Sequence, residues 1–139
     1  MAALTADKLI ERRPAGDRNF PVSAGVKIRL GAMVAVEVPG GTLRPARANP
    51  TDIIVGISRQ AADNSAGLAS AISCETEAEG VYAMVNSAGG DAIALTDIGK
   101  DCYAVDDQTV ALTNGGATRC RAGKIQNVTE RGVWVRFDQ

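Results

Sequence analysis

The stretch of residues 97–137 reads DIGKDCYAVDDQTVALTNGGATRCRAGKIQNVTERGVWVRF, and it decides the predicted fold. It contains four short runs of strand-forming residues separated by polar turns, the pattern of a β-meander. The segment Asp106-Asp107-Gln108 separates two of these runs, and Asp favours turns because its side chain bonds nearby backbone groups. The sequence therefore predicts a β-hairpin across these three residues.

The last of the four runs has a clear alternation. Val133, Val135 and Phe137 share one side of an extended chain, and Trp134 and Arg136 share the other, because a strand changes side at every residue. We expect the first three side chains to point into a hydrophobic core.

Further strands are expected on both sides of the chain's midpoint. In residues 26–30, Val26, Ile28 and Leu30 are predicted to face inward. Residues 52–57 are mostly apolar, as in a strand buried on both faces. Residues 68–74 predict a strand and residues 75–80 an acidic turn, followed by residues 81–85, where Val81 and Val85 share a face with Ala83. Turn residues recur at short intervals between these runs, which predicts a small antiparallel β-barrel or sandwich.

The tetrad Asn-Ser-Ala-Gly occurs twice, at residues 64–67 and 86–89. Both copies are typical of turns, and two such short matches do not predict a domain repeat. At 139 residues, the chain is expected to fold as one domain over residues 20–139.

The predicted core is small. Leu, Ile, Val and Phe together make up 31 of the 139 residues, close to the level below which chains tend to stay disordered. We therefore expect contacts between subunits to add buried surface, and we predict a homo-oligomer.

The residue types present argue against catalysis. Histidine is absent, which removes the commonest general base and most zinc or haem ligation. Cys74, Cys102 and Cys120 are odd in number and match neither a disulfide framework nor a zinc-binding spacing, so we expect buried free thiols. The sequence predicts no enzyme activity, no cofactor and no metal.

No run of about 18 apolar residues is present, so no membrane span is predicted. Lys8, Glu11, Arg12 and Arg13 interrupt any signal-peptide core, which favours a protein that stays in the cytoplasm where it is made. Residues 1–60 carry a net charge of +4 and residues 61–139 a net charge of −5. Such a division suits docking between subunits or onto another surface, although uneven surface charge also arises by chance.

Residues 1–19 differ from the rest of the chain, because they are polar and lack a sustained strand pattern. They are either a frayed terminus or an N-terminal docking arm that becomes ordered on a partner. The residues expected to contact the partner are aliphatic, cationic or aromatic: Leu4, Lys8, Leu9, Ile10, Arg12, Arg13, Arg18 and Phe20.

Several segments, in their order and spacing, resemble one family. They lie at residues 20–22, 24–28, 31–35, 54–57, 63–67, 86–91, 97–110, 122–124 and 132–135. The chain is similar over residues 20–137 to the small β-rich decoration proteins, also called cement or head-stabilisation proteins, of tailed-bacteriophage capsids.

The resemblance implies a non-enzymatic virion protein, made in the host bacterial cytoplasm, that binds the capsid exterior. It implies the major capsid protein as partner, with neighbouring capsid subunits clamped together. It also favours a trimer, because icosahedral lattices have three-fold positions, with a dimer as the alternative.

Two other functions are weighed against this one. Another small phage virion barrel protein, from the tail or the head–tail joining region, would differ in copy number per particle. A nucleic-acid-binding barrel of the OB type is disfavoured, because the chain has only five aromatic residues, a net charge of −1 and no basic stripe on a predicted strand.

Overall fold

The computed structural model describes residues 2–13 and 18–138. The second range forms β-strands and two single-turn 3-10 helices, Gly89–Asp91 and Leu95–Asp97. The strands in these residues are β1 (Arg18–Pro21), β2 (Lys27–Ile28), β3 (Met33–Val36), β4 (Leu43–Pro45), β5 (Ile53–Ser58), β6 (Ala62–Asp63), β7 (Ser73–Glu77), β8 (Val81–Asn86), β9 (Asp101–Ala104), β10 (Thr109–Ala111), β11 (Arg121–Thr129) and β12 (Gly132–Arg136). The prediction of an all-β fold is confirmed. Within the same residues, no helix is long and apolar enough to cross a bilayer.

Five strands form the first ring, with antiparallel neighbours in the order β1-β7-β5-β3-β4. Val22, which follows β1, makes a parallel bridge to Leu43 in β4. The N–H of Ser23 donates to the carbonyl oxygen of Leu43 at 2.8 Å. These contacts bring the two outer strands of the sheet together at one point, so the sheet curls into a nearly closed ring. Strands β2 and β6 form a separate pair.

The second ring contains β8 to β12, in the order β10-β8-β12-β11-β9, and a parallel pairing of β8 with β10 closes it. The predicted hairpin between β9 and β10 is confirmed. The carboxylate Oδ1 of Asp106 accepts hydrogen bonds from the backbone N–H groups of Gln108 and Thr109, at 2.9 and 2.8 Å. This is the turn chemistry that the sequence predicts.

The two rings have the same topology. When the strands are counted in chain order within each ring, both rings run first, fifth, fourth, second, third. In both, a parallel contact joins the third strand to the first. That contact pairs Val22 with Leu43 in the first ring and Asn86 with Val110 in the second. The chain is therefore a structural duplication of one five-stranded unit.

The strand registers coincide as well. Val34 is paired with Gly56 in the first ring, and Cys102 is paired with Gly123 in the second. A β-bulge lies next to this pair in both ladders. Because a bulge shifts the pairing by one residue, its presence at the same place in both rings indicates the same local geometry.

The corner that leads into the second strand is also shared. Gly31 and Gly99 have φ angles of +84° and +88°, which side chains other than glycine rarely adopt. Their N–H groups donate to the carbonyl oxygens of Ser58 and Ile125, at 3.1 and 2.8 Å. Ser58 and Ile125 in turn hold equivalent positions in the fourth strands of the two rings.

The duplication left little identity in the sequence. Ser-Ala-Gly occurs at residues 23–25 and 87–89, directly after the first strand of each ring. The tetrad at residues 86–89 therefore corresponds to residues 22–25. The tetrad at residues 64–67 lies after β6 and is not its counterpart.

Two hydrophobic clusters fill the molecule. The first lies inside the first ring and consists of Val22, Ile28, Ala32, Val34, Leu43, Val55, Ala62 and Cys74. The second contains the buried residues of the second ring, including Val133, Val135 and Phe137, together with Met33, Ala35, Ala46, Ile54 and Ile57 from the first. The inward orientation predicted for Val133, Val135 and Phe137 is confirmed, since all three are buried.

Strands β3 and β5 belong to both clusters because each is apolar on both faces. Val34 faces the first cluster, and Met33 and Ala35 on either side of it face the second. Val55 and Ile54 divide in the same way, which confirms the prediction of a strand buried on both faces. The outer wall of the first ring therefore packs against the second ring.

Three features of the fold differ from those predicted. Strand β1 begins at Arg18 and pairs with β7, so Arg18 and Asn19 belong to the sheet and not to the arm. Leu30 was predicted to face inward, yet it is 69% exposed, because β2 ends at Ile28 and the chain turns at Gly31. The single β-barrel or sandwich predicted over residues 20–139 takes the form of two five-stranded rings, of which the second is a closed barrel and the first is a sheet whose outer strands meet at one bridge.

The acidic segment at residues 75–80 was predicted to be a turn, but residues 75–77 belong to strand β7 and only residues 78–80 connect it to β8. Cys74 and Thr76 are buried, while Glu75 between them is exposed. The sequence pattern hides this part of β7 because Thr76, one of the two buried residues of the strand, is polar.

Candidate partner-binding surface

The arm residues that the structure describes, 2–13, form neither strand nor helix. Leu4, Leu9 and Ile10 are 71%, 98% and 72% exposed. Their aliphatic side chains therefore lie in solvent, where burying each of them would gain roughly 1.5–3 kcal/mol. Met1 and residues 14–17 of the predicted arm lie outside the described residues.

The cationic residues predicted to bind a partner fall into two groups. Lys8, Arg12 and Arg13 are exposed in the arm beside the aliphatic side chains. Arg18 lies in β1, is partly buried and donates from Nη1 to the carbonyl oxygen of Val55 at 2.7 Å. Its guanidinium therefore ties β1 to β5 within the first ring.

Phe20 also lies in β1, where it is half-buried and packs against the first hydrophobic cluster. Six of the eight predicted residues thus lie in the exposed arm. Arg18 and Phe20 belong to the folded body.

An apolar surface that the sequence did not single out lies on the outside of the second ring. Val81, Ala83 and Val85 are exposed along β8. Trp134 in β12 lies opposite Ala83, and its Nε1–H donates to Thr129 Oγ1 at 2.8 Å. We call these four residues, Val81, Ala83, Val85 and Trp134, the β8 face. The pattern of residues 81–85 shows that three of them share a side, but not that this side points outward.

The first ring provides an internal comparison for the β8 face. Because the registers coincide, Asn19 corresponds to Ala83, Pro21 to Val85 and Glu75 to Trp134. At these positions the first ring carries Asn19, Pro21 and Glu75, and the second carries Ala83, Val85 and Trp134, with the exposed Arg136 beside Val81 at the edge of the face. The β8 face is apolar for a reason other than the fold, since the fold tolerates polar residues at these positions.

A polar network holds the β3–β4 hairpin of the first ring. The hydroxyl of Ser23 donates to Glu37 Oε2 at 2.6 Å, and Arg44 and Arg47 approach Glu37 Oε1 at 3.0 and 3.2 Å. The Ser23 hydrogen bond, followed by the two arginines, lowers the pKa of Glu37 below its usual 4.5. Arg47 also pairs with the buried Asp52 at 2.8 Å.

A second ionic cluster lies on the outside of the second ring. Asp101 Oδ1 pairs with Lys124 Nζ at 2.8 Å and with Arg121 Nε at 2.9 Å. Hydrogen bonds from Lys124 and then Arg121 lower the pKa of Asp101. Asp138 also pairs with Arg121 at 2.8 Å, which ties the end of the chain to β11. In both ionic clusters the carboxylates are paired with arginine or lysine, an arrangement that ties strands together.

The cysteines are buried free thiols, as predicted. Burial raises the pKa of Cys102 to about 12 and that of Cys120 to about 11, and it also raises the pKa of Cys74. Since the thiolate is the nucleophile and the metal ligand, all three are poorly reactive. Within the described residues, no group of three or more Asp, Glu, Cys or His side chains is placed to hold a metal ion.

Comparisons with known proteins identify no family for this chain. No family model and no solved structure matches it. A similar curated protein is the phosphoribosylformylglycinamidine synthase subunit PurL of Symbiobacterium thermophilum, 36% identical over 126 residues that cover 91% of this chain. The chain spans 13% of the length of that relative, so the relative's activity is not transferred to it.

Proposed function

We propose that this chain is a non-enzymatic structural protein that binds the outside of an assembled phage capsid and stabilises contacts between major capsid subunits. The observation that carries the proposal is the exposed arm, which holds Leu4, Leu9 and Ile10 in solvent beside Lys8, Arg12 and Arg13. A segment with exposed aliphatic and cationic side chains is suited to a partner that offers an apolar groove flanked by carboxylates.

A protein of this kind acts by mass action. It binds the assembled lattice and not the free capsid subunit, so each bound copy stabilises the assembled state. A body made of one closed barrel and one sheet whose outer strands meet at a bridge supports the proposal, since it leaves few unpaired strand edges that would cause aggregation on a crowded shell.

We further propose that the chain forms a homo-oligomer through the β8 face, with a trimer favoured and a dimer as the alternative. The contrast with the polar residues Asn19 and Glu75 at the equivalent positions supports this choice. A second copy of the chain is the proposed occupant. The protein would be made in the bacterial cytoplasm and act on the virion exterior, with no nucleic-acid or membrane partner.

Binding to capsids that lack this protein tests the proposal. A variant without residues 2–13 keeps β1 and the whole ring body, so its melting temperature should match that of the full chain. Its affinity for the capsids should fall at least about tenfold, because the aliphatic contacts are lost. The full chain failing to bind such capsids would overturn the proposed function.

Two matched variants separate the contributions within the arm. Changing Leu4, Leu9 and Ile10 to Ser should weaken binding at all salt concentrations. Changing Lys8, Arg12 and Arg13 to Ala should weaken it less, and mainly at low salt, where exposed charges act most strongly. Arg18 is left unchanged because its guanidinium holds Val55 within the ring. Equal binding by both variants and the full chain would show that the arm is not the binding element.

A further inference from the structure

Each ring exposes a large aliphatic side chain directly before the glycine of the shared corner. Leu30 precedes Gly31 in the first ring and is 69% exposed, and Ile98 precedes Gly99 in the second and is 50% exposed. The following glycines have the same left-handed conformation and make the same hydrogen bond to the fourth strand of their ring. Leu30 and Ile98 are therefore equivalent residues of the duplicated unit.

The fold accounts for the glycines but not for the aliphatic residues before them. The corner requires a positive φ at Gly31 and Gly99, whereas Leu30 leaves most of its surface in solvent and Ile98 leaves half. Elsewhere on the outside the two units have diverged, with Asn19 in place of Ala83 and Glu75 in place of Trp134. At those two outward positions the first ring has a polar residue where the second has an apolar one. At the two corners, in contrast, both rings have an exposed aliphatic residue.

We propose that Leu30 and Ile98 are two equivalent contact points, and that each enters an apolar recess on one of two adjacent copies of the same protein. Leu30 and Ile98 are similar in size and chemistry and precede equivalent glycines, so they suit two recesses of the same shape. A shell built from many copies of one protein presents such recesses side by side. This inference rests on the proposed function, and it identifies the chain as a bivalent clip between neighbouring capsid subunits.

Bivalency has a quantitative consequence. When the first contact forms, the second binds at the effective concentration set by the rigid link between them, and avidity can exceed either single affinity by about 10²–10⁴-fold. The hydrogen-bonded strands of the ring body provide that link, because Leu30 and Ile98 each adjoin a backbone contact to the fourth strand of their own ring.

The test measures binding of four variants to capsids assembled from the major capsid protein alone. Leu30→Asp and Ile98→Asp should each weaken binding at least about tenfold and by similar factors, since either change removes one of the two contacts. The double variant should bind more weakly than either single one. Leu68→Asp is the control: Leu68 is 82% exposed in the longer β6–β7 loop, which the second ring replaces with the tight β11–β12 turn, and its change should alter binding less than about twofold.

Leu30→Ser and Ile98→Ser repeat the test without added charge, and circular dichroism confirms the fold of each variant. If wild-type protein binds the capsids while the Leu30 and Ile98 variants bind equally well, the inference is overturned and the proposed function stands. A loss at only one of the two positions overturns the bivalent model. A change of oligomeric state in sedimentation would assign the contact to another copy of this chain and likewise overturn it. Wild-type protein that does not bind refutes the proposed function itself.

Discussion

Gly56 and Gly123 lie at the same position in the two rings, each directly beneath a backbone carbonyl group of the fifth strand. A Cβ at Gly56 would collide with the carbonyl oxygen of Glu77, and a Cβ at Gly123 with that of Arg136. Each glycine also lies next to the bulge of its ladder. The close approach of the fourth and fifth strands is thus a shared requirement of the two units.

The first prediction concerns these glycines. Gly123→Ala should lower the free energy of unfolding by about 1–3 kcal/mol, because the added methyl group displaces backbone. Gly56→Ala should cost more, since its φ of +144° adds backbone strain of about 1–3 kcal/mol. Chemical denaturation measures both effects.

Gly90→Ala is the control, because its Cβ position has no described atom within 4 Å. It should change stability by less than about 1 kcal/mol. Equal stabilities for all three variants would mean that the strands at Gly56 and Gly123 do not approach as closely as described.

The second prediction concerns the core of the second ring. Phe137 is buried and lies 5.6 Å from the ring centroid of Tyr82, so Phe137→Ala should cost about 3–5 kcal/mol. Arg136 is exposed, and Arg136→Ala should cost less than about 1 kcal/mol. Thermal or urea unfolding checks both, and similar losses for the two would contradict the inward orientation of Phe137.

The third prediction concerns acid. Hydrogen bonds from Ser23 and the two arginines lower the pKa of Glu37 in the folded state below its usual 4.5. The folded protein therefore holds the proton less tightly than the unfolded chain does. The stability that Glu37 contributes is fully present above pH about 4.5 and is lost as the pH falls through the lowered pKa.

Glu37→Gln should accordingly flatten the fall in stability below pH about 4.5, as measured by urea unfolding at a series of pH values. Glu79→Gln, a change at an exposed position between β7 and β8, is the control that keeps the network intact. A Glu37→Gln profile parallel to that of the wild type would show that this network does not contribute to acid sensitivity.

The fourth prediction concerns self-association. Ala83→Lys places a charge at the centre of the β8 face and should raise the dissociation constant of the oligomer at least about tenfold. Asn19→Lys makes the matched change at the equivalent position of the first ring and should leave association unchanged. Sedimentation velocity compares the two variants with the wild type.

Trp134 is the chain's one tryptophan and lies opposite Ala83, so its fluorescence reports on the β8 face directly. In the wild type, emission should shift to shorter wavelength as concentration rises and the indole becomes buried. A wild type that sediments as a monomer at micromolar concentration, with constant emission, would refute the interface.

The sequence predicts the second ring better than the first. In β12, side chains alternate between Val and Phe on one side and Trp and Arg on the other, so the phase of the strand is unambiguous. The β9–β10 hairpin is equally clear, because Asp106 supplies its own turn contacts. In the first half of the chain, β2 has two residues and β4 has three, too few for an alternation to be recognised.

The amino-acid sequence does not show the duplication, and the reason is physical. Two segments can have the same strand register when their corners, bulges and close strand contacts fall at the same positions. Glycine makes the corners possible at Gly31 and Gly99 and the close strand contacts possible at Gly56 and Gly123. The strands between those glycines need only keep an apolar inner face, which many sequences satisfy. The loops also differ in length, so no constant period runs through the chain. The exposed arm residues and the β8 face were harder to predict, because an alternating pattern shows which side chains share a side of a strand but not which side is exposed to solvent.

The equivalence of the two units also shows that one outer wall changes its chemistry between them. Met33 and Ile57 on the wall of the first ring are buried against the second ring, whereas the same positions in the second ring hold Asp101 and Lys124, paired at 2.8 Å. An apolar wall there would accept a ring from another molecule, and that molecule would offer the next wall in turn, which is how open-ended filaments grow. Stacking on the charged wall would instead strip water from paired charges. The ionic cluster therefore opposes the stacking of another ring on this wall and, with it, open-ended growth.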